Sequence, residues 1–358
     1  MGRYLLLDIG AGTLDLLCYD SDRDQHYKAV VRSPVRVLAD EIRNTPGSLV
    51  VTGGEMGGGS VSQALCERAR TDDVIMSAAS AATVHHDMQR VVELGIRVVD
   101  PAEAQDLTDD PRFSHIRTGD LQIDRLRRLV NGLGLAFAFD VVAVCAQDHG
   151  VAPSGVSHLD FRHRMFTAAL SDNPFPHALL YRSDQVPEAM NRLTTIAREA
   201  GKLPAQRIYV MDSGMAAILG ASMDVLAADK QRILVLDVAT SHTVGATLAS
   251  GKLCGFFEYH TKDVTAGRLD RLLKDLADGR LSHRQILDQG GHGAYLREAY
   301  GYDNVQAILA TGPRRRMVTT CSLPITFGAP WGDNMMTGTV GLMEAVRRFE
   351  GLPQIDYL

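Results

Sequence analysis

A short segment near the start of the chain places an acid, two glycines and a hydroxyl residue between two apolar runs, in the order Asp8-Ile9-Gly10-Ala11-Gly12-Thr13. Gly10 and Gly12 allow a tight turn in which the backbone N–H groups around Ala11 point at phosphate oxygens. Thr13 adds a hydroxyl donor, and Asp8 is placed to hold a hydrated Mg²⁺ between β- and γ-phosphates. The segment predicts a phosphate-binding hairpin, against the simpler alternative of a glycine turn between two strands.

The two common nucleotide motifs do not explain this segment. The residues after Gly12 have the pattern of a second strand and not of a helix start, so no GxGxxG motif is completed. The chain also contains no GxxxxGKS or GxxxxGKT sequence. A Rossmann dinucleotide site and a P-loop are therefore both excluded.

A second group of candidate residues, Gln147, Asp148 and His149, follows the apolar run at residues 139–146. The ends of buried strands line the clefts of α/β proteins. Asp148 is a candidate general base, Gln147 can position a water molecule, and a histidine such as His149 can do either. The alternative is a capped polar turn without a catalytic role.

Other polar segments have both a functional and a structural interpretation. Residues 56–60 place three glycines before a predicted helix, where a phosphate or substrate could approach the helix N-terminus.

His85 and His86 are adjacent in a predicted helix and therefore face different directions. Segments 257–261 and 290–293 contain histidines that could reach a cleft. However, no two histidines stand four residues apart beside an acid, so no histidine metal site is predicted.

These candidates lie within an alternation of short apolar runs and amphipathic stretches, which is typical of an α/β fold. Strands are predicted at residues 4–9, 14–19, 48–52, 141–146, 207–210, 233–238 and 307–310. Helices are predicted at residues 60–70, 83–94, 186–200, 215–228, 269–276 and 336–349.

Two of the predicted strand pairs are similar to each other. Residues 5–19 and 234–257 each have the order strand, acid, turn of small residues and second strand, which implies a duplication. With 358 residues, the chain is longer than one hydrophobic core usually serves. We therefore expect one hairpin in each of two domains, facing a shared cleft, with a polar linker at residues 229–232.

The first hairpin resembles the first phosphate motif, DxGxGTxD, of the superfamily of actin, sugar kinases, acetate kinase and Hsp70. Residues 8–15 match this motif at every defined position. The resemblance implies two actin-like (ribonuclease H-like) α/β domains around a nucleotide cleft, with ATP and Mg²⁺ as cofactors. It also implies that a second phosphate motif opens the second domain.

The second motif would begin at Asp237, which would be a metal ligand together with Asp8. The usual glycines are replaced here by other small residues, so hydroxyl groups of Thr240, Ser241 and Thr243 would contact phosphate instead.

The resemblance to the superfamily also implies an adenosine motif in the second half of the chain and two helices at the junction between the domains. Residues 307–313 approximate the adenosine motif of the superfamily and place Gly312 at the nucleotide. The two interdomain helices would lie at residues 212–221 and 338–346. Asp333 precedes the second of these helices, where it would serve as an N-cap, as a site residue, or as both.

A narrower resemblance is to the family of domain of unknown function 1786, some of whose members carry the label "pyruvate formate-lyase activating protein". It rests on residues 52–59, 147–150 and 332–338. The label implies a radical enzyme that uses S-adenosylmethionine and an iron–sulfur cluster. Because the five cysteines are widely separated and form no close set of ligands, the sequence predicts that the chain is not such an activase.

Composition argues against other classes of function. The net charge is −6 and the basic residues are scattered apart from residues 314–316, so no nucleic-acid partner is expected. No apolar run approaches the roughly 20 residues that span a bilayer, and the first residues lack a signal-peptide pattern. A cytoplasmic protein without a membrane partner is expected.

The sequence thus predicts an ATP-binding phosphotransferase or ATP-dependent activating enzyme that acts on a small metabolite, for example in cofactor biosynthesis. Two alternatives stay open: an ATP-driven switch that activates a partner enzyme, and a degenerate member of the fold that binds ATP without hydrolysis. The expected domains are residues 1–228, residues 229–332, and a C-terminal helix within residues 333–358 that returns to the first domain.

Overall fold

The computed structural model describes residues 2–357, which form an α/β protein with three sheets. The strands are β1 (Arg3–Ile9), β2 (Thr13–Asp20), β3 (Gln25–Arg32), β4 (Ser48–Gly53), β5 (Val74–Ser77), β6 (Ile96–Val99), β7 (Phe113–Thr118), β8 (Phe139–Ala146), β9 (Leu180–Arg182), β10 (Ala205–Asp212), β11 (Arg232–Val238), β12 (His242–Ala249), β13 (Lys252–His260), β14 (Gly293–Leu296), β15 (Ala307–Thr311) and β16 (Ile325–Phe327).

The α-helices are α1 (Pro34–Asn44), α2 (Ser60–Arg68), α3 (Ala78–Ala81), α4 (Met88–Glu93), α5 (Pro101–Asp106), α6 (Ile123–Gly132), α7 (His158–Asp172), α8 (Asn191–Ala200), α9 (Ser213–Ala221), α10 (Ala266–Ala277), α11 (His283–Asp288) and α12 (Thr337–Glu350). Short 3-10 helices lie at Leu107–Asp109, Pro176–Leu179, Val225–Ala227, Thr261–Asp263, Tyr302–Asn304, Arg315–Thr320, Pro330–Gly332 and Asn334–Met336. Among residues 2–357, none of the helices has the length and apolar character needed to cross a membrane.

Two of the sheets repeat one topology. The first has the strand order β3-β2-β1-β8-β10-β9, and the second has the order β14-β13-β12-β11-β15-β16. In each, an antiparallel meander of three strands is followed by two strands that run parallel to the first strand of the meander. This repeated order is that of two actin-like, ribonuclease H-like domains. The predicted fold class is confirmed.

A third sheet, with the parallel order β6-β5-β4-β7, is inserted between β3 and β8. It has a separate small core, in which α1 and α2 pack on its strands through residues such as Val35, Leu49 and Leu65. Sequence patterns predicted β4 but not this sheet, because β5 and β6 have only four residues each and show too little periodicity.

Helices α9 and α12 cross with their backbones in contact. A methyl group built on Gly220 would lie 1.8 Å from the carbonyl oxygen of Thr337, and one on Gly341 would lie 1.8 Å from that of Ala216. Both helices belong to the large core that joins the first two sheets. Glycine at these positions therefore allows the two halves of the chain to pack around one central crossing.

All seven predicted strands are present, whereas several predicted helices begin late or end early. The helix predicted at residues 83–94 is wrong in its first half, because α4 begins at Met88 after Asp87 caps it by accepting a hydrogen bond from Gln89 N at 3.0 Å. His85 and His86 therefore precede the helix. Similarly, α9 ends at Ala221, whereas the predicted helix continued to residue 228. Helix α8 begins only at Asn191, whereas the predicted helix began at residue 186. The domain boundaries at residues 228 and 332 stay predictions.

Candidate functional site

A cavity of about 1230 Å³ opens between the two repeated sheets and the inserted sheet. Its walls come from the β1–β2 turn, the β11–β12 turn, the first residues of α9 and α12, and the loops at residues 55–60, 82–87 and 147–158. Most of the candidate residues from the sequence line this cavity. The structure therefore brings together segments that are more than 300 residues apart.

The β1–β2 turn is closed by hydrogen bonds that fix its backbone. The amide of Gly10 donates to the carbonyl of Thr13 at 3.0 Å. Ser33, at the end of β3, donates its hydroxyl to the Gly10 carbonyl at 2.6 Å and its amide to the Gly12 carbonyl at 3.1 Å. Gly10, Ala11, Gly12 and Thr13 all line the cavity, in a turn held from behind by Ser33.

The β11–β12 turn repeats this pattern bond for bond. The amide of Ala239 donates to the carbonyl of His242 at 3.0 Å. Thr261, at the end of β13, donates its hydroxyl to the Ala239 carbonyl at 2.8 Å and its amide to the Ser241 carbonyl at 2.8 Å. Thr261 therefore plays the part in the second repeat that Ser33 plays in the first.

The two turns lie against each other at the wall of the cavity. A methyl group built on Gly12 would lie 2.9 Å from the hydroxyl of Thr240, and Thr240 and Ser241 line the cavity. Thr243, the third predicted hydroxyl donor, is fully buried, and its hydroxyl lies 3.0 Å from that of Thr261. Thr243 therefore supports the turn from within.

Three carboxylates converge behind the turns. Asp8 and Asp237 end the first strands of the two sheets and line the cavity, and Asp15 lies opposite Asp8 on β2. Burial, reinforced by the charge of Asp8, raises the pKa of Asp237 to about 7 and that of Asp15 to about 8. Burial and the charge of Asp212 also raise the pKa of Asp8 to about 6, although a hydrogen bond from Cys145 acts in the opposite direction and lowers it. In the part of the chain that the structure describes, Oδ1 of Asp15 is buried without a hydrogen-bond partner.

Glycines make room for these carboxylates. A methyl group on Gly338, in the first turn of α12, would lie 2.0 Å from Oδ2 of Asp8, and one on Gly312 would lie 2.5 Å from Oδ1 of Asp237. Gly312 also lines the cavity. Asp333 instead caps the 3-10 turn before α12 by accepting from Met335 N at 2.9 Å.

The Gln147–His149 segment lies on the cavity wall, with each side chain in a different environment. Nε2 of Gln147 donates to Oε1 of Glu258. The carboxylate of Asp148 accepts from the amides of Gly150 at 2.8 Å and Leu193 at 2.9 Å, so it caps α8 from outside the helix. Burial, followed by the charge of Arg162, lowers the pKa of His149 well below its ordinary value.

A chain of buried charges connects the two domains beside this segment. Arg162, on α7, lies 3.0 Å from Asp212 of the first sheet and 2.6 Å from Glu258 of the second. Burial alone would raise the pKa of Glu258, but Arg162 and the neighbouring histidines hold it well below its ordinary range. Arg162 gave no signal in the sequence, whereas Glu258 lies in a segment that was expected to reach the cleft.

Three histidines form a cluster on the second-domain wall. His242 begins β12, His260 ends β13 directly opposite it, and His292 precedes β14. One ring nitrogen of each lies within 4.8 Å of the others, a spacing that suits one metal ion. The sequence reasoning considered only histidines spaced along a helix and did not foresee that neighbouring strand ends bring these three together. The absence of a histidine metal site stays a prediction.

The loop at residues 55–60 forms the opposite wall. His86 lies 2.9 Å from Glu55, which also accepts from Asn191, and Gly57 N donates to Asp120 at 3.3 Å. Residues 57–60 line the cavity at the start of α2. These contacts fix the loop to the first domain.

Residues 56–317 match the family model described as "Putative pyruvate format-lyase activating enzyme (DUF1786)". The chain belongs to this family. No curated protein matches this DUF1786 protein.

Several solved structures are similar in fold to this protein over nearly its whole length. The inorganic polyphosphate/ATP-glucomannokinase of Arthrobacter sp. strain KM has 13% identity over 97% of this chain and 99% of that chain, with a TM-score of 0.36. The ROK family glucokinase of Streptomyces griseus, solved with glucose and AMPPNP, has 10% identity over 97% and 99%, with a TM-score of 0.34. A chain of the PilM-PilN type IV pilus biogenesis complex has 12% identity over 96% and 98%, with a TM-score of 0.36. No activity is transferred from these proteins to the DUF1786 chain.

Proposed function

We propose that this protein binds ATP and Mg²⁺ in the cleft and uses them to phosphorylate or activate a small metabolite. One observation carries the proposal. Two turns with the same hydrogen-bond pattern, each preceded by a carboxylate near the end of a strand, lie against each other and line the cavity. A pair of such turns suits a chain of phosphates held from both sides, since fixed backbone and hydroxyl groups bind anions.

The residues of the cleft fit a hydrated divalent cation. Burial raises the pKa of Asp8, Asp15 and Asp237, and the charge of Asp8 raises the pKa of the other two further. One oxygen of Asp15 has no hydrogen-bond partner among residues 2–357. Hard cations prefer carboxylate and water oxygens, and a cation here would relieve this repulsion. Asp8 and Asp237 would hold Mg²⁺, and Mg²⁺–ATP would supply a transferable phosphoryl group.

The surroundings of Gln147, Asp148 and His149 suggest which of them orients the acceptor. Both oxygens of Asp148 accept backbone hydrogen bonds, and His149 lies among other histidines, with its ring centroid 5.7 Å from that of His292. Gln147 lines the cavity and is held by Glu258. We therefore assign Gln147 the orienting role and the residue 57–60 loop the opposite wall of the acceptor pocket.

The test is isothermal titration of the purified protein with Mg²⁺–ATP. Asp8→Asn and Asp237→Asn should each weaken binding at least about tenfold, which corresponds to roughly 1.4 kcal/mol. Asp184→Asn is the matched control, because this side chain is 68% exposed and does not line the cavity, and it should bind as the wild type does.

Each outcome decides something. Wild-type protein that does not bind, or aspartate variants that bind as tightly as it does, would refute the proposal. Binding without turnover of any acceptor would favour the degenerate member of the fold, for which the side chains of Ala239, Thr240 and Ser241 in place of glycines are the supporting observation. Turnover that rises only when a protein is added would favour the ATP-driven switch.

A further inference from the structure

The histidine cluster contains more nitrogen atoms than its surroundings can satisfy. Nε2 of His260 and Nε2 of His292 lie 3.1 Å apart, and one N–H···N hydrogen bond would account for that pair. Nε2 of His242 is buried and has no hydrogen-bond partner within residues 2–357. The side chain of His292 is only 8% exposed. The His242 ring centroid lies 4.7 Å from those of both His260 and His292. A ligand shared by the three rings would explain this buried nitrogen.

The other side of two rings is held by polar groups, which orients the free nitrogens. Nδ1 of His242 lies 3.0 Å from the hydroxyl of Ser241. Nδ1 of His292 lies 3.5 Å from Oε1 of Glu258, within reach of charge attraction, but makes no hydrogen bond among residues 2–357. Metal-binding histidines usually donate their second ring nitrogen to a carboxylate or another oxygen in this way. Arg162 fixes Glu258 from its other oxygen at 2.6 Å. Because polar groups lie beside Nδ1 of His242 and Nδ1 of His292, we expect the Nε2 atoms to face a common ligand.

The spacing suits a transition metal. In a tetrahedral zinc site with Zn–N bonds of about 2.0–2.1 Å, ligand nitrogens lie roughly 3.3 Å apart. Nε2 of His260 and Nε2 of His292 are 3.1 Å apart, and one ring nitrogen of each of the three histidines lies within 4.8 Å of the others, which is the spread expected of ligands to one ion. Imidazole ligands favour zinc and its neighbours over Mg²⁺ or Ca²⁺.

We propose that His242, His260 and His292 bind one Zn²⁺ ion on the second-domain wall of the cleft, with a fourth position open to an oxygen atom of the substrate. His242 and His260 line the cavity, so the open position would face its interior. His149, whose Nδ1 is buried without a partner, approaches from the first domain with its ring centroid 6.0 Å from that of His242. Three protein ligands and one open position are the arrangement of catalytic zinc sites.

The experiment uses full-length, tag-free protein from which metals have been removed with a chelator. Titration with Zn²⁺ should give one high-affinity site per chain, and Co²⁺ should give the visible absorption of tetrahedral coordination. His242→Asn, His260→Asn and His292→Asn should each weaken Zn²⁺ binding at least about 100-fold, more than the 10–100-fold typical of changes around metal ligands. His158→Asn is the matched control, because His158 lines the same cavity outside the cluster.

Circular dichroism of each variant checks that the fold is retained. If a variant unfolds, the wild-type protein still decides the matter, since one bound Zn²⁺ should raise its melting temperature. Absence of stoichiometric binding, or three variants that bind like the control, would overturn the proposal. The site does not depend on nucleotide binding: Asp8→Asn should keep its zinc even where it loses ATP, so the two proposals fail separately.

Discussion

The crossing of α9 and α12 offers a sharp test of the packing described above. We expect Gly341→Ala to destabilise the protein strongly, because its new methyl group would lie 1.8 Å from the carbonyl oxygen of Ala216. Restoring an ordinary C–H···O separation of about 3.3 Å requires the helices to move apart by roughly 1.5 Å. Neither partner can rotate away, since the atom that is contacted belongs to the backbone.

The magnitude follows from two opposing effects. Overpacking of a close contact costs about 1–3 kcal/mol and sometimes more, and a shift of this size lies at the upper end. Alanine would regain at most about 1 kcal/mol of helix propensity over glycine. We therefore expect a net loss of at least about 2 kcal/mol in the free energy of unfolding.

The assay is guanidinium-induced unfolding followed by circular dichroism, with Gly267→Ala as the matched control. Gly267 lies on α10, and a methyl group built on it meets nothing within 4 Å. The control should be neutral or slightly stabilising. If Gly341→Ala unfolded at the same denaturant concentration as Gly267→Ala, the backbone contact between the central helices would be refuted.

Two further predictions concern buried charge. Arg162→Met should destabilise the protein by about 3–5 kcal/mol in the same unfolding assay, because it leaves Asp212 and Glu258 buried without their cation. The control Arg164→Met removes an exposed arginine and should change stability by less than about 0.5 kcal/mol. Equal effects of the two substitutions would refute the structural role of the ion pairs. Burial, and then the charge of Arg348, lowers the pKa of His177 to about 4, despite an opposing effect of Glu344. As the pH falls, His177 is therefore protonated in the unfolded protein before it is protonated in the folded protein. The wild type should lose about 1–2 kcal/mol of stability between pH 6.5 and pH 4 that His177→Gln does not lose, and parallel pH profiles of the two proteins would contradict this.

Much of the fold could be predicted from local patterns. The run at residues 5–7 followed by Asp8 and the glycine turn identified the first hairpin, and its approximate copy at residues 234–257 identified the second domain. Long apolar strands and conspicuous turns leave strong signals in a sequence. The four-residue strands β5 and β6 and the start of α4 do not, and there the predictions were incomplete or wrong.

The histidine cluster shows why part of the site could not be predicted. A hairpin turning at Ser250 and Gly251 with regular pairing would place His242 opposite Tyr259. A register shift between Thr247 and Leu248 places it opposite His260 instead. Because a shift of one residue reverses the face on which a side chain lies, no periodicity in the sequence reveals this pair. His292 joins it only after two intervening helices.

The matching turns allow positions in one half of the molecule to be equated with positions in the other. Thr13 in the first half is equivalent to His242 in the second half. Arg32 pairs with Thr13 as His260 pairs with His242, so these two residues are equivalent as well. The backbone is the same at both places, so the side chains alone distinguish their chemistry. Thr13, His242 and His260 line the cavity, whereas Arg32 is exposed and pairs with Asp40. One repeated backbone pattern thus carries a hydroxyl group on one side of the cleft and two imidazoles on the other, without any change of architecture.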